Sequence, residues 1–233
     1  MTNTDTHIVA KAIYQNLCNQ MGISVDGQYD GYGRLALISS THSGSGTSFI
    51  SRQIALEAAA QFAPLGKRVL LLDYDLYKQS QLQAIMNMGT INGPYDASFG
   101  VTPFWQVRTG ITEDSYELSP EAYNSLYIQD QTGLAVSVFR WDLLGTSQAV
   151  NVIPAPDYWM KLRSNFAMVI VDGPASDRTN MSAALYPQVD TTAIVSLNQN
   201  ASSPQTLQMV KDIERFGGRF SGLIVNNIVN GAT

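Results

Sequence analysis

The chain has 233 residues, of which 45% are apolar and 14% are charged, and its formal net charge is −5 at pH 7. These values predict a folded protein with a substantial core, and they argue against the basic surface of a nucleic-acid-binding protein. The single cysteine, Cys18, excludes a disulfide framework and a thiolate metal site, and two histidines, His7 and His42, are too few for a zinc cluster.

The start of the sequence lacks the basic and apolar regions of a secretory signal peptide. No window approaches the about 18 uninterrupted apolar residues that a membrane-spanning helix needs. We therefore expect a soluble cytoplasmic protein.

Apolar periodicity predicts helices and strands in alternation along most of the chain. The predicted elements, in chain order, are a helix at 8–21, a strand at 35–40, a helix at 49–62, a strand at 68–73, a short helix at 82–88, a strand at 134–139, a helix at 157–163, a strand at 166–172, a helix at 178–186, a strand at 191–197, a helix at 204–216 and a strand at 221–226. Segment 92–131 has no clear period, and we expect short helices and mobile loop there.

Strands that alternate with helices imply right-handed βαβ units. The predicted fold class is therefore α/β, with a three-layer, doubly wound, mostly parallel sheet and an additional N-terminal helix. We expect one domain over residues 1–233, made of an N-terminal helix and linker at 1–33 and an α/β core at 34–233.

A loop rich in glycine and serine joins the first predicted strand to the following helix. Its sequence is Ser43-Gly44-Ser45-Gly46-Thr47-Ser48. A strand, a glycine-rich loop and a helix N-terminus form the arrangement in which backbone N–H groups bind phosphate. The usual motif ends in Gly-Lys-Ser/Thr, so Thr47 stands at the lysine position and Ser48 at the position of the hydroxyl that contacts Mg²⁺. The loop keeps the amides and the hydroxyl of a phosphate site but lacks its cation.

Acidic residues stand at the ends of two other predicted strands. Asp73 and Asp75 follow one apolar run, and Asp172 follows another. Because ligands bind beyond the carboxyl ends of the strands in open α/β folds, we expect these residues to converge on the loop. The candidate metal ligands are Ser48, Asp73 and Asp172, and the candidate catalytic residues are Asp73, Asp75 and Asp172. Each feature alone has a simpler explanation, such as a helix cap, but together they favour a nucleotide-type site.

Other side chains have structural interpretations. His42 lies within the loop and could replace the missing cation only when protonated. Arg52 lies one helical turn beyond Ser48 and is predicted to face solvent, and Cys18 is predicted to be a small apolar helix residue. The large aromatic side chains are predicted to lie in a core or an interface: Phe104, Trp105, Trp141, Tyr158 and Trp159.

The order of these motifs resembles the cytoplasmic kinase domain of the bacterial tyrosine kinases of capsule and exopolysaccharide synthesis. These kinases belong to the ParA/MinD group of P-loop proteins. The phosphate loop of the family corresponds to residues 43–48, its Asp-x-Asp motif to residues 73–75, and its Asp-x-Pro motif to residues 172–174. The asparagine that contacts the adenine corresponds to Asn226. The resemblance implies ATP or ADP with Mg²⁺ as cofactors, and these nucleotide-binding residues: Ser43, Gly44, Ser45, Gly46, Thr47, Ser48 and Asn226.

Several positions depart from the family pattern. The catalytic lysine is Thr47 here, the additional signature lysine is His42, and the basic residue that follows Asp-x-Asp is Tyr77. The N-terminal charged motif that packs subunits into a ring falls near residues 11–17, where its charges are missing. The last tyrosine in this sequence is Tyr186, so we expect the chain to lack the C-terminal tyrosine cluster that these kinases phosphorylate. These departures favour a degenerate, non-kinase member over an active autokinase.

The resemblance leads us to expect a non-catalytic or weakly active regulator or scaffold of bacterial exopolysaccharide biosynthesis and export. It would act with an inner-membrane polysaccharide co-polymerase, which would hold it peripherally at the inner membrane, and it could form homo-oligomers. We expect no nucleic-acid partner. Two alternatives remain open, an active ParA/MinD-type ATPase for positioning or cellulose-type secretion and a competent tyrosine autokinase. A dinucleotide oxidoreductase is disfavoured because the loop lacks a third glycine at the expected spacing.

Overall fold

An eight-stranded sheet runs through the centre of the computed structural model, which describes residues 3–23, 31–76, 78–109, 123–146 and 148–227. The strands, in chain order, are β1 (Arg34–Ser40), β2 (Val69–Asp73), β3 (Ile91–Asp96), β4 (Trp105–Thr109), β5 (Asn124–Gln129), β6 (Ala135–Phe139), β7 (Gln148–Val152), β8 (Met168–Ala175), β9 (Thr191–Leu197) and β10 (Phe220–Asn226). The α-helices are α1 (Asn3–Met21), α2 (Thr47–Phe62), α3 (Gln81–Met86), α4 (Pro156–Asn165) and α5 (Pro204–Arg215).

The strand order across this sheet is β10-β9-β1-β8-β2-β6-β5-β3. The six strands from β10 to β6 are parallel, whereas β5 pairs antiparallel with both β6 and β3. In this order, the connection from β1 leads past β8 to β2, whereas the connection from β8 leads in the opposite direction, past β1 to β9. The carboxyl ends of these two neighbouring strands are therefore a topological switch point, where ligands bind in open α/β sheets.

Helices cover the sheet on both faces, because successive residues of its buried strands point alternately into two cores. Leu35 and Leu37 of β1 face one core, together with residues of α4 and α5, whereas Ala36 and Ile38 face the other, together with residues of α1 and α2. This arrangement confirms the predicted three-layer, doubly wound, mostly parallel fold with an additional N-terminal helix. The extent of the domain, 1–233, stays a prediction.

The N-terminal helix α1 packs against α2. Its residues Tyr14, Leu17 and Cys18 are buried in the second core, so Cys18 is a small apolar helix residue as predicted. Burial raises the pKa of the Cys18 thiol to about 11, which leaves little thiolate near neutral pH. In the part of the chain that the structure describes, no helix has both the length and the apolar character needed to cross a bilayer.

The prediction of short helices within residues 92–131 is wrong for the part that the structure describes. That part contains β3 and β5, which form the antiparallel edge of the main sheet, and β4, which pairs with β7 in a separate two-stranded sheet. Most residues of β3 are exposed, so the strand carries no apolar pattern. The pairing of β4 with β7 joins distant parts of the chain that no local window can relate. The expected mobile loop includes residues 110–122, which lie outside the described residues.

The helix predicted at 178–186 is also absent from the described structure, which has a single 3₁₀ segment there, Met181–Leu185. Its backbone hydrogen bonds join residues that are three positions apart, as from the Ala183 N–H to the Asn180 carbonyl. Pro187 follows this segment closely and cannot donate the next helical hydrogen bond. The residues before the 3₁₀ segment form a turn at the end of β8, in which the Arg178 N–H donates to the Ala175 carbonyl.

A cluster of aromatic side chains fixes the position of the end of β2. Phe104 stacks on Trp159 with ring centroids 5.4 Å apart, and Tyr74 lies 4.8 Å from Phe104. Trp105 and Tyr158 are buried in the same core, which confirms the core prediction, whereas Trp141 is 37% exposed. Because Tyr74 stands between Asp73 and Asp75 in the sequence, anchoring its ring also orients the backbone that carries the two aspartates.

Candidate functional site

The loop between β1 and α2 turns sharply at two glycines. Gly44 has φ 81° and Gly46 has φ 89°, in the left-handed region that glycine adopts without strain. Gly46 is the N-cap of α2 and provides no side-chain cap, so the first N–H groups of the helix are left for another acceptor. A helix N-terminus of this kind favours an anion. Thr47, at the lysine position, is buried.

Hydrogen bonds hold the loop to the neighbouring strand ends. The carbonyl of His42 accepts from the Ser45 hydroxyl at 2.7 Å and from the Ser40 hydroxyl at 3.2 Å. The Asn226 amide at the end of β10 donates to the Ser45 carbonyl at 2.9 Å. The predicted adenine contact therefore lies beside the loop, where its amide group binds the loop itself.

The start of the loop is bound by an aspartate that the sequence analysis missed. The backbone N–H and the hydroxyl of Ser43 each donate to the Asp177 carboxylate at 2.8 Å. Partial burial would raise the pKa of Asp177, but the two bonds from Ser43 outweigh it and the pKa is lowered. A carboxylate thus already binds one of the N–H groups that the loop offers to anions.

Two carboxylates lie side by side under the loop. Parallel pairing of β2 with β8 places Asp73 directly opposite Asp172, and the two residues are 2% and 1% exposed. One Asp73 oxygen, Oδ2, accepts from the backbone N–H groups of Ser80 and Gln81 at 2.9 and 3.1 Å. The other oxygen, Oδ1, is buried and has no hydrogen-bond partner among the described residues. The pair is therefore an acidic centre with one oxygen unsatisfied.

Burial is the main cause of the raised pKa of both carboxylates. For Asp73, the charge of Asp172 adds to burial, and the pKa lies well above its usual range. For Asp172, hydrogen bonds from Gln81, Ser48 and Ser51 oppose burial in part, but the pKa is still raised. Two anions buried in neighbouring positions need a proton or a cation between them.

The side chain of Gln81 forms hydrogen bonds that connect Asp172, the start of α2 and Arg52. Its amide N–H₂ group donates to the Asp172 carboxylate at 2.6 Å and to the Ser48 carbonyl at 2.8 Å. Its carbonyl accepts from the guanidinium of Arg52 at 2.9 Å. The prediction that Arg52 faces solvent is wrong, because the side chain turns toward Gln81, is partly buried, and has a pKa that burial lowers. A glutamine at the start of a short helix carries no sequence signal for such a role.

The third aspartate, Asp75, lies at the same end of the sheet but has a different partner. Both terminal nitrogens of the Arg178 guanidinium donate to its carboxylate, and the two side chains form an ion pair. This bond is the main cause of the raised pKa of Arg178, which also interacts with Asp177 and Asp172. Arg178 lies at the start of the predicted helix 178–186 and was not among the predicted site residues. Its position soon after the Asp-x-Pro motif was the one available signal.

The donor set of this centre fits Mg²⁺. Carboxylate and hydroxyl oxygens are the ligands that this ion prefers, and the free Oδ1 of Asp73 is a ready acceptor for a cation. Ser48 lies within hydrogen-bonding reach of Asp172, so these three predicted ligands are neighbours. In the ranges that the structure describes, no three His, Cys, Asp or Glu side chains gather to hold a metal by themselves. Mg²⁺ here would need phosphate oxygens and water as further ligands, as is usual for nucleotide sites.

Comparisons with known proteins identify the fold. No family model and no curated protein matches the chain. Among solved structures, the kinase domain of the Escherichia coli tyrosine kinase ETK is 16% identical over 96% of this chain and 76% of that chain, with a TM-score of 0.59. The VpsO kinase domain is 18% identical over 97% of this chain and 95% of that chain, also with a TM-score of 0.59.

A third similar structure is the septum site-determining protein MinD of Pyrococcus horikoshii in complex with Mg-ADP. It is 16% identical over 85% of this chain and 72% of that chain, with a TM-score of 0.50. At these identities the likeness shows the fold, which is that of bacterial tyrosine-kinase domains and of MinD-type P-loop ATPases. The fold implied by the resemblance of the motifs is therefore confirmed.

Neutralising Asp73 is expected to stabilise the protein at high pH. Because its pKa is raised on folding, the folded protein binds the proton more tightly than the unfolded chain, and stability falls as pH rises through the folded-state pKa. Asp73→Asn removes the contribution of Asp73 to this dependence and lets the new amide donate toward Asp172. Urea unfolding at pH 8 should show a gain of about 1–3 kcal/mol, the range for an unpaired buried polar group, and the gain should vanish toward pH 4.

Asp142→Asn is the matched control. This carboxylate is exposed, and its pKa is lowered by a hydrogen bond from Arg140, so the substitution should cause a small loss of stability near neutral pH. Equal stability of wild type and Asp73→Asn from pH 4 to pH 8 would contradict the account of the carboxylate pair.

Proposed function

We propose that this chain is a degenerate member of the bacterial tyrosine-kinase family that binds a nucleotide with Mg²⁺ and acts as a regulator or scaffold of exopolysaccharide biosynthesis and export. Rapid phosphoryl transfer is not part of this function. The proposal is supported by the fold, by the phosphate-type loop, and by the two carboxylates beneath it. The MinD structure of the same fold is a complex with Mg-ADP.

The observation that carries nucleotide binding is the buried, unpartnered Oδ1 of Asp73 beside Asp172. An unpaired buried polar atom costs free energy, so the unpartnered Oδ1 marks a position where a bound cation would stabilise the protein. A cation that contacts Asp73, Asp172 and Ser48 removes this cost. That cation would lie next to the N–H groups at the start of α2, which favour an anion. Phosphate with a bound Mg²⁺ satisfies both requirements.

Each part of the site has a role in this proposal. Backbone N–H groups of residues 43–48 bind phosphate oxygens, and Ser48, Asp73 and Asp172 hold Mg²⁺, which neutralises phosphate charge when it is bound. For Mg²⁺ to reach Asp172, the amide of Gln81 must leave that carboxylate. Asn226 is placed at the loop to contact the base.

Slow or absent phosphoryl transfer follows from the residue at the lysine position, Thr47. Thr47 has no charge with which to stabilise the transferred phosphoryl group, and a single such electrostatic contact commonly contributes about 10²–10³ in rate. A nucleotide would then act as a ligand that favours one conformation of the protein, and a scaffold needs no more than that. The competing ATPase and autokinase functions both require phosphoryl transfer, which the missing lysine disfavours.

The polysaccharide role and the partner are proposed from the motif resemblance. An inner-membrane polysaccharide co-polymerase would bind the chain and hold it at the membrane surface. This partner accounts for retention of the whole kinase fold without the kinase lysine, because a binding surface can persist after catalysis is lost.

Nucleotide binding is tested by calorimetric titration with Mg²⁺-ATP and Mg²⁺-ADP. We expect wild type to bind both and Thr47→Lys to bind about 10- to 100-fold more tightly, the range for a hydrogen bond to a charged group. Ser48→Ala is the control and should weaken binding in Mg²⁺ more than in EDTA. Absence of binding by wild type would contradict the proposal, whether or not Thr47→Lys binds.

The cellular role is tested by deletion of the gene. Exopolysaccharide output should fall after deletion and should be restored by wild type. It should also be restored by a Thr47→Ala variant, because the residue at the lysine position has no catalytic task. Unimpaired polymer output after deletion would contradict the polysaccharide role, whatever the calorimetry shows.

A further inference from the structure

The loop at 43–48 has Thr47 at the lysine position, so another residue must supply the positive charge that a bound phosphate needs. All 14 lysines and arginines of the chain lie within the described residues. Three of them are near the acidic strand ends: Arg52 on α2, Lys78 after β2, and Arg178 after β8. Their surroundings differ, and these differences distinguish the three.

The turn that carries Arg178 is tied to both ends of the β1–loop junction. The Ser176 N–H donates to the Ser40 carbonyl at the end of β1 at 2.8 Å. Asp177 accepts two hydrogen bonds from Ser43 at the start of the loop. The Arg178 N–H closes the turn by donating to the Ala175 carbonyl at 3.1 Å. Arg178 therefore extends from a backbone that is fixed beside the loop.

One carboxylate binds the guanidinium of Arg178, and two others act on its charge. Asp75 accepts from both of its terminal nitrogens, and Asp177 and Asp172 are close enough to act on its charge. The Arg178 side chain is 33% exposed, whereas that of Asp75 is 6% exposed. The guanidinium is thus both held in place and accessible to a ligand that enters from solvent.

The other two cations are less suitable. Arg52 is partly buried and bound through Gln81, on the side of the carboxylate pair where a metal ion would bind. A cation there would compete with Mg²⁺ instead of assisting it. Lys78 is exposed, and its backbone N–H, not its ammonium group, contacts Asp75.

We propose that Arg178 supplies the positive charge that is missing at Thr47, by binding the terminal phosphates of the nucleotide. This inference rests on the proposed nucleotide binding and adds the residue that replaces the lysine. A guanidinium binds phosphate oxygens through two parallel N–H groups, as it now binds Asp75. Arg178 is the exposed member of this pair, so a polyphosphate of higher charge can reach the guanidinium and compete with Asp75 for it. Because Asp75 is 6% exposed, its carboxylate then needs a proton or a bound cation as a new partner.

The first test compares ATP, ADP and AMP binding, all with Mg²⁺, by wild type, Arg178→Gln and Arg178→Lys. Arg178→Gln should weaken ATP and ADP binding by about 10- to 100-fold and should change AMP binding far less. Arg178→Lys should recover part of the loss. Arg140→Gln breaks an Arg–Asp pair whose arginine is similarly exposed, 29% against 33% for Arg178, and this variant should bind all three nucleotides like wild type. A structural role for Arg178 would lower affinity for the three nucleotides equally.

The second test uses wild type alone, so it does not depend on the folding of a variant. Phenylglyoxal modifies accessible arginines, and mass spectrometry locates the modified residues. Mg²⁺-ATP should protect Arg178 and leave Arg140 unchanged, and AMP should protect Arg178 much less.

The outcomes separate the two proposals. If wild type binds ATP while Arg178→Gln binds it equally well, or Arg178 stays reactive in saturating ATP, the role of Arg178 is overturned and nucleotide binding stands. If Lys78→Gln instead gives the selective loss, Lys78 is the replacement and Arg178 is not. If wild type binds no nucleotide, both proposals are overturned.

Discussion

The pairing of β2 with β8 is the constraint on which the site depends. It places Asp73 and Asp172 side by side at the carboxyl edge of the sheet, each almost completely buried. Burial of two like charges is unfavourable unless a proton, a cation or hydrogen-bond donors compensate it. Backbone N–H groups of Ser80 and Gln81, the Gln81 amide and the Ser51 hydroxyl provide part of this compensation. The Oδ1 atom of Asp73 still lacks a hydrogen-bond partner among the described residues, and this missing partner is the strongest indication of a ligand.

Contacts within the chain occupy the groups that the proposed phosphate site would offer to a ligand. Gln81 contributes a neutral donor to Asp172, where a metal ion would bind, and Asp177 binds an N–H group that the loop offers to phosphate. Both contacts mimic, within the chain, the groups that a magnesium nucleotide would bring. Asp172 and the start of the loop therefore have partners within the chain, whereas the Oδ1 atom of Asp73 has none among the described residues. Ligand binding would exchange these partners, and Arg178 would move from Asp75 to phosphate.

The sequence predicted the parallel part of the fold and the strand-end aspartates for one physical reason. Strands buried on both faces, such as β2 and β8, are short apolar runs, and polar residues appear where they emerge at the ligand-binding edge. The exposed β3 and the β4–β7 pair lack such runs, so they were not predicted. Gln81 and Arg178 depend on the path of the turns that follow β2 and β8. That path is set by tertiary contacts, including the anchored ring of Tyr74, which no local pattern reveals.

A crystal structure of the protein with Mg²⁺ and ADP would test the central claim most directly. The account predicts a metal ion in contact with the Ser48 hydroxyl and with the Asp73–Asp172 pair, with the Gln81 amide displaced from Asp172. The β-phosphate should lie against the backbone amides of residues 43–48. A complex in which the nucleotide or the metal ion lies elsewhere, while Gln81 keeps its hydrogen bond to Asp172, would contradict this account. The carboxylate pair would then be a buried acidic pair without a ligand-binding role.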